Sequence, residues 1–477
     1  MKPEPRGAIP LITFLRDLFS GYEAVPCMRH AWIPAGSAYT VESKSRATIA
    51  IIVINLAAYL FTSYRNLFLS IDNNVLWQYG YVPGYMSISI SEAITRIITS
   101  MFLHADPLHI FFNMYFLYFF GKAVEGVLGS GRYLILYIAS GFWAVFLHTV
   151  SIGFQGVSSI SIPAVGASGA ISGVLGSYLI LYPTTSLSMC FFYIIFPVCG
   201  TFRASTFLLF WFAIQVIYGY LRLGGIAFFA HAGGFIAGIA LTWILGGDIV
   251  RRYKTPVPWL GIGSWGLSMR GEGLGGVQKA ALAVLLISIL AMAGYSYFQG
   301  ALVDRSQLTY LIDVKIRETP AGQIYSTSQA TLTLSKDRSD FSMSPIGDDL
   351  SRILINRFIA SKLLINPSMA EKTGFISTAY NIVVQGVRVP FAISANISYD
   401  KNGVMIFSEG SSRTYSIICD IGCREGDEII YPWFTLRSYG PISVAELSQL
   451  PLLLSAIMLL LSLYVVLAKD RDLSIDL

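Results

Sequence analysis

The chain has 477 residues, 54% of them hydrophobic and only 13% charged. A soluble chain carries about 25% charged residues, so the composition excludes an ordinary soluble protein and points to a polytopic membrane protein. The net charge of +5 is not gathered into a basic stripe, which excludes a nucleic-acid binder.

Residues 1–46 mix polar residues, proline and scattered charge without a compact apolar run. They read as a cytoplasmic segment with no cleavable signal peptide. Eight segments are then apolar for about the 20 residues that a bilayer requires: 48–64, 104–121, 133–150, 166–182, 204–221, 227–246, 280–299 and 448–468. With the N-terminus inside, the inward segments hold 16 Lys and Arg and the short outward loops hold 3. Positive charge favours the cytoplasmic side, so both termini are expected inside.

The expected fold is an all-α polytopic membrane protein with an inserted soluble domain. Residues 47–247 form a six-span core and 248–279 a cytoplasmic linker. A seventh helix covers 280–299 and an eighth 448–468, leaving 469–477 as a cytoplasmic tail. Between the last two helices, residues 300–447 form an exterior domain. The stretch 299–449 carries 14 basic and 15 acidic residues and alternates at Gln329-Ala330-Thr331-Leu332-Thr333-Leu334. Alternation of this kind predicts strands, with a helix near 347–364.

The five cysteines sort by this topology. Cys419 and Cys423 lie outside, where a disulfide persists if the local geometry allows one. Cys27, Cys190 and Cys199 face a reducing interior, and none of the five has metal-site spacing. Asn396-Ile397-Ser398 is an exterior glycosylation sequon if the host glycosylates.

The chemistry gathers at the outer ends of three spans. Ser168 sits in Gly166-Ala167-Ser168-Gly169, at the start of the fourth span, and His231 opens the sixth. Both spans run inward, so the two side chains lie at similar depth. Gly169, Gly173 and Gly176 on one helix and Gly234 and Gly238 on the other allow close backbone approach. A histidine within hydrogen-bond reach would activate the serine as a nucleophile, although no acid lies in either span as a third member.

His104, His109 and Asn113 stand at the outer end of the second span, with His109 and Asn113 on one helix face. They are candidate donors to an oxyanion. Plainer readings stay open beside these. Ser168 with its glycines could be a packing device, Asn113 an interhelical hydrogen-bonding residue, and His104 an interfacial contact. His30 and His148 read as structural. Asp106-Pro107 reads as a turn and helix start rather than part of a metal site, so no metal or cofactor is expected.

Over residues 46–247 the chain resembles the rhomboid family of intramembrane serine proteases. His104, His109 and Asn113 resemble its H-x₄-H-x₃-N pattern. Gly121-Lys122-Ala123-Val124-Glu125 and Gly129-Ser130-Gly131 resemble its following loop. Gly166-Ala167-Ser168-Gly169 is similar to its nucleophile motif, and Ala230-His231-Ala232-Gly233-Gly234 with Gly238 to its sixth-span motif.

The resemblance implies Ser168 as nucleophile and His231 as base and then acid. His109, Asn113 and the Ser168 backbone N–H would hold the oxyanion, His104 would support them, and Arg96 would shape the first exterior loop. It also implies transmembrane-protein substrates cleaved within a bilayer. A prokaryotic cytoplasmic membrane is the expected host. The alternative is a proteolytically silent rhomboid-like protein that binds membrane-protein clients. Two positions depart from the family pattern. Ser172 stands where many members carry an aromatic residue stacked on the histidine, and Thr95 stands where tryptophan precedes the loop arginine.

Overall fold

The computed structural model describes residues 45–193, 196–223, 226–254, 272–337, 340–344, 346–419 and 423–475. The expected N-terminal segment, apart from its last two residues, therefore lies outside the described residues, with Cys27 and His30. So does most of the expected linker 248–279.

The helices that build the bundle are α1 (Arg46–Ser63), α4 (Pro107–Leu128), α5 (Ser130–Val150), α6 (Ser168–Leu181), α7 (Ala204–Tyr220), α8 (Phe228–Lys254), α9 (Gly276–Ser306) and α11 (Val444–Tyr464). Between α1 and α4 lie α2 (Asn73–Tyr79) and α3 (Ile90–Ser100). Among the described residues, five helical segments are long and apolar enough to cross a membrane: Arg46–Asn66, Ser130–Val150, Phe228–Val250, Gly276–Ser306 and Val444–Leu473. Helices α6 and α7 are shorter and apolar, and α4 spans 22 residues and includes Lys122 and Glu125. Large apolar side chains stand exposed around the bundle, among them Phe111, Phe112, Val284, Leu453 and Leu460. Such a belt suits lipid rather than water. The protein is an integral membrane protein.

Helix α6 is the hub. Its twelve residues from Ala170 to Leu181 are all buried, as expected of a helix that is apolar or small on every face. Glycine makes this enclosure possible. A Cβ on Gly234 would stand 1.9 Å from the Gly169 carbonyl oxygen, and one on Gly238 1.9 Å from that of Gly173. A Cβ on Gly176 would stand 2.1 Å from the Phe235 carbonyl oxygen. The backbones of α6 and α8 are in contact, which no larger side chain would permit.

Carboxylates tie the ends, Glu125 and Asp470 buried and Asp304 half-buried. Glu125 accepts from Ala47 N at 2.9 Å, Thr48 N at 2.8 Å, Thr48 Oγ1 at 2.7 Å and Ser130 Oγ at 2.6 Å, so it caps α1 from α4. Asp304 near the end of α9 accepts from Val444 N at 2.8 Å and Ala445 N at 2.9 Å, capping α11. At the other end of that pair, Asp470 accepts from Lys279 Nζ at 2.6 Å and Leu274 N at 2.8 Å. Carboxylates suit helix N-termini because the first backbone N–H groups have no intrahelical acceptor.

Several boundaries depart from the sequence reading. Residues 183–203, expected as a cytoplasmic loop, contain an antiparallel hairpin of β1 (Ser186–Tyr193) and β2 (Phe196–Arg203). Helix α9 runs seven residues beyond the expected 299, because its last turn is held by the Asp304 cap on α11. Helix α8 likewise continues to Lys254, into the expected linker.

The β-rich region is an antiparallel seven-stranded sheet in the order β5-β4-β3-β9-β8-β7-β6. Its strands are β3 (Gln307–Arg317), β4 (Ile324–Ser335), β5 (Phe341–Met343), β6 (Thr373–Val384), β7 (Val387–Tyr399), β8 (Met405–Cys419) and β9 (Cys423–Tyr439). Helix α10 (Asp349–Ala360) covers one face, placing Phe358 against Phe391 and Phe434 with centroids 5.6 and 5.5 Å apart. Cys419 and Cys423 pair across the tip of β8 and β9 and form a disulfide.

The sheet rests on the segment between α1 and α4. Asn74 on α2 donates to Tyr325 O and accepts from Thr327 N, each at 3.0 Å. Leu311 from β3 joins Val82, Tyr85, Ile160 and Val444 in one buried cluster.

Candidate active site

The chain arrives at Ser168 through a turn that requires glycine. Gly166 has φ +124°, and its N–H donates to Ser100 O at 2.9 Å. An L-residue rarely adopts this φ, and there is no room for one. A Cβ at Gly166 would stand 2.7 Å from His109 Nε2 and 3.5 Å from Ser168 Oγ. Helix α6 begins at Ser168 itself, and its first intrahelical acceptor, Ala167 O, serves Ile171 N. The Ser168 N–H therefore belongs to the free first turn.

Helix α8 delivers His231 from its own first turn. His231 Nε2 lies 2.8 Å from Ser168 Oγ. Both side chains are only half-buried, so the pair opens toward solvent or a substrate. The close contact of α6 and α8 at Gly169 and Gly234, just below, sets this distance.

The other face of the imidazole is held by α7. His231 Nδ1 lies 2.8 Å from Gln215 Oε1. One turn earlier on α7, the Trp211 ring lies alongside His231 with centroids 6.2 Å apart and planes inclined by 28°. Ser172, at the position of the expected aromatic, donates to Ser168 O at 2.6 Å instead. A ring face is thus supplied to His231 from a different helix.

Helix α4 contributes the third wall. Asp106 is its N-cap, accepting from His109 N at 2.8 Å, with Pro107 in the first turn. The Ala105 N–H donates to His109 Nδ1 at 3.3 Å. That bond makes Nδ1 the acceptor and leaves the proton on Nε2, the nitrogen that faces Gly166 and Ser168. Asn113 directs one amide N–H to the His109 carbonyl at 2.8 Å, which leaves its second N–H for another acceptor.

His104 is fully buried and packs edge-on against His109 with centroids 5.1 Å apart. Neither of its ring nitrogens has a hydrogen-bond partner among the described residues. Arg96 lies away from the serine. Its Nη1 donates to Trp77 O at 2.9 Å and Gly80 O at 3.1 Å, its Nε pairs with Glu92 at 2.7 Å, and its guanidinium covers the Tyr85 ring at 4.2 Å. It holds the segment on which the β-sheet rests.

Sequence reasoning overlooked Gln215 and Trp211. Gln215 was nevertheless marked out as the lone amide in the run Phe207-Leu208-Leu209-Phe210-Trp211-Phe212-Ala213-Ile214-Gln215-Val216-Ile217. A polar side chain inside such a run needs a partner.

A bundle of apolar helices holding a serine hydrogen-bonded to a histidine defines the class: a membrane protein with an embedded serine–histidine pair. Residues 91–248 match the rhomboid domain. The chain thus carries a rhomboid domain over about a third of its length.

It is 29% identical over 209 residues to Rhomboid protein 1, mitochondrial, of Saccharomyces cerevisiae, covering 43% of this chain and 54% of the relative. It is 32% identical over 148 residues to Rhomboid-type serine protease 2 of Emericella nidulans, covering 31% of this chain and 26% of the relative. Rhomboid-like protein 11, chloroplastic, of Arabidopsis thaliana is 27% identical over 217 residues, covering 43% of this chain and 67% of the relative. The chain thus spans about half the length of the yeast relative and about a quarter of the Emericella one. Relatives named for mitochondria and chloroplasts do not support the expected prokaryotic cytoplasmic membrane as host.

Proposed function

We propose that this protein is an intramembrane serine protease that cleaves transmembrane-protein substrates. The observation that carries the reading is the 2.8 Å hydrogen bond between Ser168 Oγ and His231 Nε2 at the half-open end of an apolar bundle. Ser168 Oγ attacks the scissile carbonyl carbon while His231 Nε2 takes its proton. The developing oxyanion is met by the His109 Nε2–H and the Ser168 N–H, with the second Asn113 N–H within the same wall. His231 then protonates the leaving amine, and a water molecule activated by the same imidazole hydrolyses the acyl-enzyme. The residues performing these steps are the chain's own.

In this reading the eight helices α1, α4–α9 and α11 span the bilayer with both termini inside, and residues 300–447 stand outside as a domain that selects substrates. The domain is anchored through Asn74 and Leu311 to the segment before α4.

The test is cleavage of a panel of transmembrane proteins in proteoliposomes, with a fluorophosphonate probe as a second readout. Ser168→Ala should abolish both labelling and cleavage, and His231→Ala should abolish cleavage in folded protein. Labelling that persists in Ser168→Ala would remove the nucleophile. Deleting about 301–446 should spare a generic substrate and impair native ones. A client-binding protein without catalysis is the competing reading, favoured by the Ser172 departure. It wins if clients co-purify equally with Ser168→Ala and wild type yields no product.

A further inference from the structure

We propose that Gln215 is the positioning residue that selects the reactive tautomer of His231, with Trp211 limiting the tilt of its ring. This inference rests on the serine–histidine reading above.

For Nε2 to accept the Ser168 proton it must carry none, so the imidazole's single proton must sit on Nδ1. In an apolar bundle that Nδ1–H needs an acceptor, because an unpaired buried donor is costly. Gln215 Oε1 stands 2.8 Å away and fills that need. Among the described residues no carboxylate hydrogen-bonds His231, so the role falls to a neutral amide. A carboxylate buried there without a counter-ion would carry a large desolvation cost. The Gln215 side chain is itself buried, which restricts its alternatives. With no acceptor at this place, the proton can move to Nε2 and the imidazole would donate to Ser168 Oγ instead of accepting from it.

Trp211 and Gln215 lie four residues apart, hence on one face of α7. One presents a ring face to His231 and the other a hydrogen bond. Ser172 carries no ring, and its hydroxyl donates to the Ser168 carbonyl at 2.6 Å. The base is therefore oriented by α7, while α6 supplies the nucleophile and α8 the base itself.

The experiment compares full-length wild type, Gln215→Met, Gln215→Glu and Ser168→Ala in proteoliposomes. Methionine keeps the length and bulk of glutamine and removes the acceptor, whereas glutamate keeps an acceptor. Gln215→Met should lower kcat by about 10- to 100-fold with KM little changed, and Gln215→Glu should recover part of that loss. The direct readout is ¹⁵N NMR of histidine-labelled protein near pH 8, where the chain's five histidines give an assignable spectrum. His231, assigned by loss of its signals in His231→Ala, should be the Nδ1–H tautomer in wild type and gain Nε2–H population in Gln215→Met. Wild-type kcat in Gln215→Met, or an unchanged tautomer, overturns the inference. If Ser168→Ala cleaves as well as wild type, the protease reading fails. If Ser168→Ala is inactive while Gln215→Met matches wild type, only the role of Gln215 fails.

Discussion

Gly234 on α8 lies so close to Gly169 on α6 that a Cβ on Gly234 would stand 1.9 Å from the Gly169 carbonyl oxygen. This backbone contact lies one residue after Ser168 and three after His231, so it fixes the distance between the two reactive atoms. Gly234→Ala must push the two backbones apart by about 1 Å, because the 1.9 Å approach is far inside van der Waals contact. Overpacking of this kind costs about 1–3 kcal/mol, and a displacement near 1 Å costs about 100-fold in rate. The expected outcome is a lower thermal midpoint in detergent and a cleavage rate reduced by at least about tenfold. A variant with wild-type rate would show that the contact does not set the dyad.

His109 should matter to the transition state more than to binding. Its Nδ1 accepts from the Ala105 N–H, so its Nε2–H is available beside Gly166. Removing one oxyanion donor typically costs about 10²- to 10³-fold in kcat. His109→Ala is expected to fall in that range with KM little changed, as measured on a reconstituted transmembrane substrate. A loss confined to KM would place His109 in substrate binding instead.

Glu125 offers the contrasting case of a buried charge remote from the serine. It holds two backbone N–H groups at the start of α1 and two hydroxyls. Glu125→Ala leaves those donors unpaired, at about 1–3 kcal/mol for a buried donor. The expected result is a clear drop in thermal midpoint, with kcat at low temperature close to wild type. A large kcat defect in a fully folded sample would contradict this separation.

The capping carboxylate of Asp304 joins the two helices beneath the sheet. Asp304→Ala removes the acceptor for Val444 N, Ala445 N and Ser443 Oγ. Loss of an N-cap costs about 0.5–2 kcal/mol. Hydrogen exchange at residues 443–447 should rise while exchange in α6 stays unchanged. Uniform protection across both regions would show that the cap is not what seats α11.

The apolar runs, the β-rich region with a helix expected near 347–364 and found at Asp349–Ala360, and the approach of Ser168 to His231 were legible in the chain. Each rests on local pattern: apolar length, alternation, glycine spacing, or polar residues in an apolar run. The β1–β2 hairpin at 186–203 was not, because its turn-type residues, Pro197 and Gly200, fall inside β2 rather than between the strands. The extension of α9 past 299 escaped notice as well, since it depends on Asp304 meeting a helix that starts about 140 residues later.

By itself, the sequence determined that this is a membrane protein whose polar residues of interest cluster at the starts of three helices. It also determined that glycines at four-residue spacing could bring two of those helices into contact. Only the tertiary structure decided what orients His231. Ser172 supplies no ring at the expected place, and the ring face and hydrogen-bond acceptor come from Trp211 and Gln215 on α7. Helical periodicity shows that those two residues share a face but not which neighbour the face meets. That choice is made by helix packing, through contacts between residues distant in the chain.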